Sequence, residues 1–438
     1  MNGKIPALIG AGPTGWAKIS MGLQFHALRP AQMSRKRSDK FGLTAQTGFW
    51  LGLKSKPTDS FNFCHVLQIQ DDLWYDNLCT GIDVIPLMFA HELEARLGNS
   101  GLKVSKLILG CMSYGSPKWQ EWVLSGEEGI KHIKAAYDAG INAFDTANVY
   151  SNGLSEIILG KAIKQHNLPR EEIVVMTKVY FTVGKTPDFV TMSKSTNELD
   201  SAGYVNQRGL GRKASPNWLA PLYIIGHRFD YETPIEETVN DIPLLHAVYL
   251  KDQQMQALHD VVKAGYVRYI GMSSCWGYQF NAMQTYAIQN NLTPFISMQN
   301  HYSMVYREEE REMFPTLKHF GVGSIPWSPL ARGLLSRPLD QKTKRGQSDR
   351  MITGHTTVDA TATIVNRVEE IAKKKNAKMA QIAIAWVMAK DGVTAPIIGT
   401  TSLENLSELI DAVDIELSED EVKYLEEPYK PRAIMGHL

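Results

Sequence analysis

Four side chains of four chemical types stand out in the middle of this 438-residue chain: Asp145 and Tyr150, five residues apart in FDTANVY, Lys178 after IVVMT, and His227 after YIIG. A phenol whose ordinary pKa is about 10 keeps its proton at neutral pH, and a nearby ammonium lowers the cost of the phenolate left when that proton moves. The group therefore suits delivery of a proton to a carbonyl oxygen under reduction. In that chemistry Lys178 supplies the charge, Asp145 pairs with the lysine and fixes it, and His227 orients the oxygen by a hydrogen bond. No side chain donates a hydride, so the reaction also needs a redox cofactor.

These residues meet only if the fold gathers them. From Gly101 onward, short β-branched runs alternate with amphipathic stretches, the pattern of βα units around a parallel sheet. The candidate strands are Leu107–Gly110, Ala143–Thr146, Ile173–Thr177, Leu222–Gly226, Val267–Gly271, Phe295–Gln299, Val322–Trp327 and Ala395–Gly399. Eight strands predict an α/β fold of the (β/α)8 TIM-barrel type, whose active site is built at the C-terminal ends of the strands. Asp145 then lies in the second strand, Tyr150 in the loop after it, Lys178 just past the third and His227 just past the fourth.

Helices are expected between these strands. Ser125-x-x-Glu128 has the form of a capping box, Ile130, Ile133 and Tyr137 share a face, and Gly140 stands where a glycine stops a helix. Further stripes run through Met255, Leu258, Val261 and Val262 to Gly265, and through Met313, Leu317 and Phe320 to Gly321. Others cover Thr363–Lys375, Met379–Asp391, Leu403–Val413 and Glu419–Glu427.

The ordered segments LGNSGLKVSKLILGCMSYG, GINAFDTANVYSNGLSEIILGKAI, IVVMTKV, HRFDYETPIEET, ALHDVVKAGYVRYIGMSS, SMQNHYS, IPWSPLARGLL and TAPIIGTTSLENL resemble the aldo-keto reductase superfamily, in particular its fungal aryl-alcohol-dehydrogenase-like and versiconal-type reductases. The resemblance implies a catalytic Asp145, Tyr150, Lys178 and His227, with NADPH/NADP+ laid across the top of the barrel. It further implies cofactor contacts at Gly110 and Met112 after strand one, Ser273 after strand five, Gln299 at the end of strand six, and Trp327, Ser328 and Leu330 at strand seven. Gly399, Thr401 and Asn405, where strand eight feeds a helix, suit phosphate and adenosine groups. Arg345 in TKRGQSD is the expected partner of the 2′-phosphate. The activity implied is NADP-dependent reduction of aromatic or otherwise apolar aldehydes or ketones to alcohols. A rival is a non-catalytic NADPH-binding regulatory subunit resembling channel β subunits.

The matching region spans 97–430, leaving an irregular or disordered extension over 1–96 and a short tail over 431–438. No acidic residue precedes Asp39, whereas Lys4, Lys18, Arg29, Arg35, Lys36 and Arg37 do, a bias shared with mitochondrial transit peptides. Gly10, Gly12 and Gly15 match a dinucleotide fingerprint, but the strand, amphipathic helix and distal acid it needs are missing, so coincidence is the better reading. Two internal departures stand out, and the first suggests a disturbed third βα unit. ASPNWLAPLYIIG, within 212–227, is too short for a full helix and a strand and holds Pro216 and Pro221, which suit no helix interior. Residues 239–254 separate PIEET from MQALHD and have the form of an intron read in frame, which raises the further alternative of a non-functional chain from a faulty gene model.

Composition narrows the partners. Lys plus Arg and Asp plus Glu are both 46, so the chain is neutral and gives no support to nucleic-acid binding. Cys64, Cys79, Cys111 and Cys275 are too scattered for a metal site or a disulfide framework, which makes a reducing, cytoplasmic setting the expectation. No apolar run reaches the 18 or so residues of a membrane span. The expected partner is a small carbonyl compound; the sequence carries no signal for subunit number.

Overall fold

The computed structural model describes residues 94–186, 189, 223–231, 235, 254–341, 349, 352 and 360–437. A hairpin of β1 (Glu94–Arg96) and β2 (Lys103–Ser105) precedes eight parallel strands: β3 (Ile108–Gly110), β4 (Ala143–Asp145), β5 (Val174–Val179), β6 (Tyr223–Gly226), β7 (Tyr269–Ser273), β8 (Phe295–Gln299), β9 (Gly323–Ser324) and β10 (Ile397–Ile398). They pair in chain order from β3 to β9, and β10 pairs with β3. The seam between the last two closes through Thr394 N–H to Ser324 O at 2.7 Å and Ile397 N–H to Pro326 O at 2.8 Å. The expected (β/α)8 barrel is therefore present, with every candidate strand in its expected place to within a few residues.

Alternation along the strands builds the barrel. Ile108, Ala143, Val174, Met176, Ile225 and Ile397 fill its interior with Tyr223, whereas Leu109, Phe144 and Val175 face outward onto Ile130, Ile133, Ile158 and Leu159 of the surrounding helices. The hairpin adds Leu97 and Val104 to the interior cluster. Its turn approaches the start of β9 so closely that a Cβ on Gly98 would lie 2.5 Å from Gly321 O, and Gly98 has φ +57°. Residues 94–96, placed in the irregular extension by their lack of period, thus form a strand because Lys103–Ser105 pairs with them.

The described helices are α1 (Gly126–Asp138), α2 (Leu154–Gln165), α3 (Gln254–Lys263), α4 (Gly277–Gln289), α5 (Met313–Phe320), α6 (Ala360–Lys375), α7 (Met379–Met388), α8 (Leu403–Ile410) and α9 (Glu419–Glu426). Gly140, Gly265 and Gly321 follow α1, α3 and α5 with positive φ, as helix-stopping glycines do. The capping box expected at Ser125 and Glu128 does not form. Ser125 makes no side-chain cap, and the Glu128 carboxylate instead accepts from Lys131 Nζ at 2.8 Å.

Two positions differ from expectation in register. Lys178 lies inside β5, because that strand runs on to Val179 to pair with Gly226. Ser273 ends β7, whereas it was expected just after that strand. The tail over 431–437 is held at loops following the strands: Arg432 N–H donates to Glu308 Oε1 at 2.8 Å and Met435 N–H to Tyr306 OH at 3.0 Å. The glycine fingerprint near the N-terminus, Cys64, Cys79, Arg345, the short segment up to residue 222 and the insert up to residue 253 lie outside the described residues. No helix among the described residues is long and apolar enough to cross a membrane.

Candidate active site

Parallel pairing puts the ends of β4, β5 and β6 side by side, with Asp145 opposite Met176 and Lys178 opposite Ile225. This register carries the Lys178 ammonium into a set of three oxygens. Nζ donates to Asp145 Oδ2 at 2.6 Å, to Thr146 O at 2.7 Å and to Tyr150 OH at 3.3 Å. All three ammonium protons thus have acceptors, in a side chain with no solvent exposure. Burial pulls the lysine's pKa down, but Asp145 and then Tyr150 outweigh it and leave the pKa above its ordinary value. For Tyr150, burial is the largest influence and raises the phenol's pKa, with Lys178 opposing.

His227 follows β6 and meets the Tyr150 ring edge-on, with centroids 5.9 Å apart. Burial, then the charges of Arg228 and Lys178, push its pKa well below 6.5, so the imidazole is neutral at pH 7. Phe181, after β5, sits edge-on to His227 at 5.0 Å, and Trp119 flanks Tyr150 at 6.3 Å. These buried rings keep water from the phenol. Asp145, Tyr150, Lys178 and His227, gathered from three stretches of sequence, therefore share one dry pocket.

Tyr150 also owes its position to a turn that the residue-by-residue reading passed over. Ser151 and Asn152 have φ of +48° and +53°, a left-handed conformation that costs a non-glycine residue on the order of 1–3 kcal/mol. Ser151 Oγ accepts from Ser116 N–H at 3.1 Å. Asn152 uses its whole amide on the loop after β5, donating to Thr186 O at 2.9 Å and Phe189 O at 2.8 Å and accepting from Gly184 N–H at 2.9 Å. The triplet Ser151-Asn152-Gly153 is itself the readable signal, since such residues gather where φ turns positive.

The expected cofactor residues fall into two groups. Gln299 Nε2 donates to Asp145 Oδ1 at 2.9 Å, and Ser273 Oγ donates to Gln299 O at 2.7 Å. Both polar groups thus belong, within the protein, to the network that fixes Asp145. Trp327 stacks on His301 at 4.3 Å, which stacks in turn on Tyr306 at 4.4 Å, and Trp327 Nε1–H donates to Ser274 Oγ at 3.0 Å. Ser328, Ala331, Arg332 and Gly333 all have positive φ, so the chain after β9 folds back tightly beside that indole. Gly399, Thr401 and Asn405 are exposed, with Ser402 capping α8 by accepting from Asn405 N–H at 3.3 Å. A Cβ on Gly399 would meet nothing nearer than 3.6 Å, whereas one on Gly110 would lie 2.9 Å from Ile397. Met112 sits half-buried in the turn after β3. An aromatic plane followed by an exposed, capped helix N-terminus fits a dinucleotide: the plane suits a flat ring, and the helix end suits phosphate oxygens. The buried thiols of Cys111 and Cys275 are both pushed up by burial and remain protonated.

The aldo/keto reductase family model matches residues 106–430. The chain belongs to the aldo/keto reductase family. It is 46% identical over 359 residues to an aldo-keto reductase of Fusarium vanettenii, covering 78% of this chain and 92% of that one. It is 44% identical over 365 residues to a putative aryl-alcohol dehydrogenase of Schizosaccharomyces pombe, covering 79% and 98%. Versiconal hemiacetal acetate reductase of Aspergillus parasiticus is 43% identical over 353 residues, covering 78% and 98%. The expected resemblance is thus met, and this aldo/keto reductase carries the family's carbonyl-reducing character on a barrel whose dry polar cluster lies at the ends of β4 to β6.

Proposed function

We propose that this aldo/keto reductase reduces aromatic or otherwise apolar aldehydes and ketones to alcohols with NADPH, with Tyr150 as the proton donor. The observation that carries the reading is the Lys178 ammonium bridging Asp145 Oδ2 and Tyr150 OH in a site closed to water. The dinucleotide supplies the hydride; the rest falls to the chain's own residues. Tyr150 keeps its proton until the substrate oxygen gains negative charge, because burial holds its pKa up. As the proton leaves, the ammonium 3.3 Å away stabilises the developing phenolate, and Asp145 keeps that ammonium in place. His227, neutral and beside the phenol, directs the carbonyl oxygen by a hydrogen bond without bringing a second charge. Trp327, Ser328, Leu330, Gly399, Thr401 and Asn405 would hold the dinucleotide, with Gly110 and Met112 beside them. The reading assigns the reaction to residues 97–430 and the protein to the cytoplasm, a setting that suits its buried free thiols.

The test is NADPH consumption by the purified full-length chain with a substituted benzaldehyde. Steady turnover is the expected result. Tight NADPH binding with no turnover across a panel of aromatic and aliphatic aldehydes would contradict the reading and favour a cofactor-sensing subunit.

A further inference from the structure

Arg228, next to His227 in sequence, has no part in the proton-transfer network. Its side chain is buried, with 7% exposure, and among the described residues makes a single hydrogen bond, from Nη1 to the carbonyl oxygen of His227 at 2.5 Å. Its Nε–H is buried with no acceptor, and among the described residues no carboxylate pairs with it. The guanidinium lies over the Phe181 ring, with Cζ 5.6 Å from the centroid, and Phe181 in turn packs on His227. Two further nitrogens of the same pocket are buried without a hydrogen-bond partner: Trp119 Nε1, beside Tyr150, and His227 Nδ1. Arg332, the other cation that acts on Arg228, is by contrast neutralised by Asp349 at 2.5 Å.

An unpaired buried charge is expensive, and a guanidinium has a fork of donors matched to a carboxylate. We infer that Arg228 is the anchor for an anionic group on the substrate, so that the preferred carbonyl compounds carry a carboxylate separated from the aldehyde or ketone by a short, flat apolar spacer. The spacer follows from the pocket, whose wall runs in successive contacts from the guanidinium to Phe181, from Phe181 to His227 and from His227 to the Tyr150 ring. A substrate anion is favoured over a cofactor phosphate because Arg228 follows β6 on the proton-transfer side, whereas the exposed helix N-terminus suited to phosphate follows β10. The inference rests on the carbonyl-reductase reading and names its substrate class. Burial lowers the guanidinium's pKa to about 10, still well above neutrality, so the group stays charged at pH 7.

The experiment compares 3- and 4-formylbenzoate with their methyl esters as substrates of the wild type, Arg228→Met and Arg228→Lys, with the NADPH Kd measured for each. A charge-assisted pair predicts a wild-type preference for acid over ester of roughly 10- to 100-fold in kcat/KM. Arg228→Met brings the ratio to about one or below, mainly through KM for the acids, and Arg228→Lys recovers part of it. The ester rate of each variant reports folding independently. A wild-type ratio near one, a ratio unmoved by Arg228→Met, or a weakened NADPH Kd with an unmoved ratio overturns the inference. If the wild type reduces neither acid nor ester, the reductase reading fails by itself. The anion site is then read from benzoate quenching of tryptophan fluorescence: quenching lost in Arg228→Met supports it, and no wild-type binding overturns it.

Discussion

The top of the barrel has two unlike arcs. From β4 to β6 the polar groups are dry, mutually bonded and fixed: Lys178 has three acceptors, Asp145 is held by both Lys178 and Gln299, and Tyr150 stands on a left-handed turn. From β9 to β10 the chain is open, with a half-exposed Trp327 and an exposed Gly399, Thr401 and Asn405. Proton transfer at a fixed oxygen benefits from donors that need no reorganisation, so the closed arc suits chemistry. A dinucleotide must enter and leave, so the open arc suits binding. The contrast separates substitutions that change the rate from those that change affinity.

The largest effect is expected at the centre of the closed arc. Lys178→Met leaves Asp145 buried without its counter-charge, which costs on the order of 3–5 kcal/mol in urea unfolding, and lowers kcat by at least ~100-fold. Gly115→Ala tests whether the turn under Tyr150 is as tightly fitted as the distances say. A Cβ at residue 115 would lie 2.0 Å from Ser151 Oγ and 2.4 Å from Ser151 Cβ. The expected loss is about 100-fold in kcat, from displacement of Tyr150 by its neighbour. Adding Ser151→Gly removes both the clash and the strain of a serine at φ +48°, and should restore most of the activity.

Behind the closed arc, Glu156 of α2 accepts from Thr177 Oγ1 at 2.5 Å while its Oε2 is buried without a partner. Burial pushes its pKa up from 4.5 to about 7. The folded state therefore holds a proton that the unfolded state releases, and the corresponding stability is full below about pH 4.5 and lost as pH rises through about 7. Glu156→Gln keeps an acceptor for Thr177 and has no charge to bury, so it should stabilise the protein by roughly 3 kcal/mol at pH 8 and little at pH 4. His227 has the opposite sign. Its folded pKa is lowered, so its contribution is present above about 6.5 and lost as pH falls below that value. The smallest effect belongs to the open arc: Ser402→Ala removes the cap of α8 and costs about 1 kcal/mol in thermal unfolding, with NADPH affinity affected before kcat.

The barrel was legible because alternation and β-branched runs recur at eight places, and the glycines after α1, α3 and α5 mark their ends. Asp145, Tyr150, Lys178 and His227 could be named because strand ends converge in this fold, even though Lys178 proved to lie within its strand. What was hidden depends on distant partners. Ser125 and Glu128 have the spacing of a cap, but Lys131 one turn away captures the carboxylate. Gln299 suits a carboxamide by type, yet its nitrogen turns to Asp145, 154 residues earlier. Arg228 is one arginine among many until burial strips it of water and no carboxylate among the described residues pairs with it.

Whether Tyr150 donates the proton is read from kcat for a substituted benzaldehyde with Tyr150→Phe, with NADPH affinity measured beside it by fluorescence. Phenylalanine keeps the ring against His227 and Trp119 and removes only the hydroxyl that Lys178 reaches. The expected result is a loss of ~100-fold or more in kcat with NADPH affinity within about twofold of the wild type. An unchanged kcat would contradict it, because the proton would then come from another group.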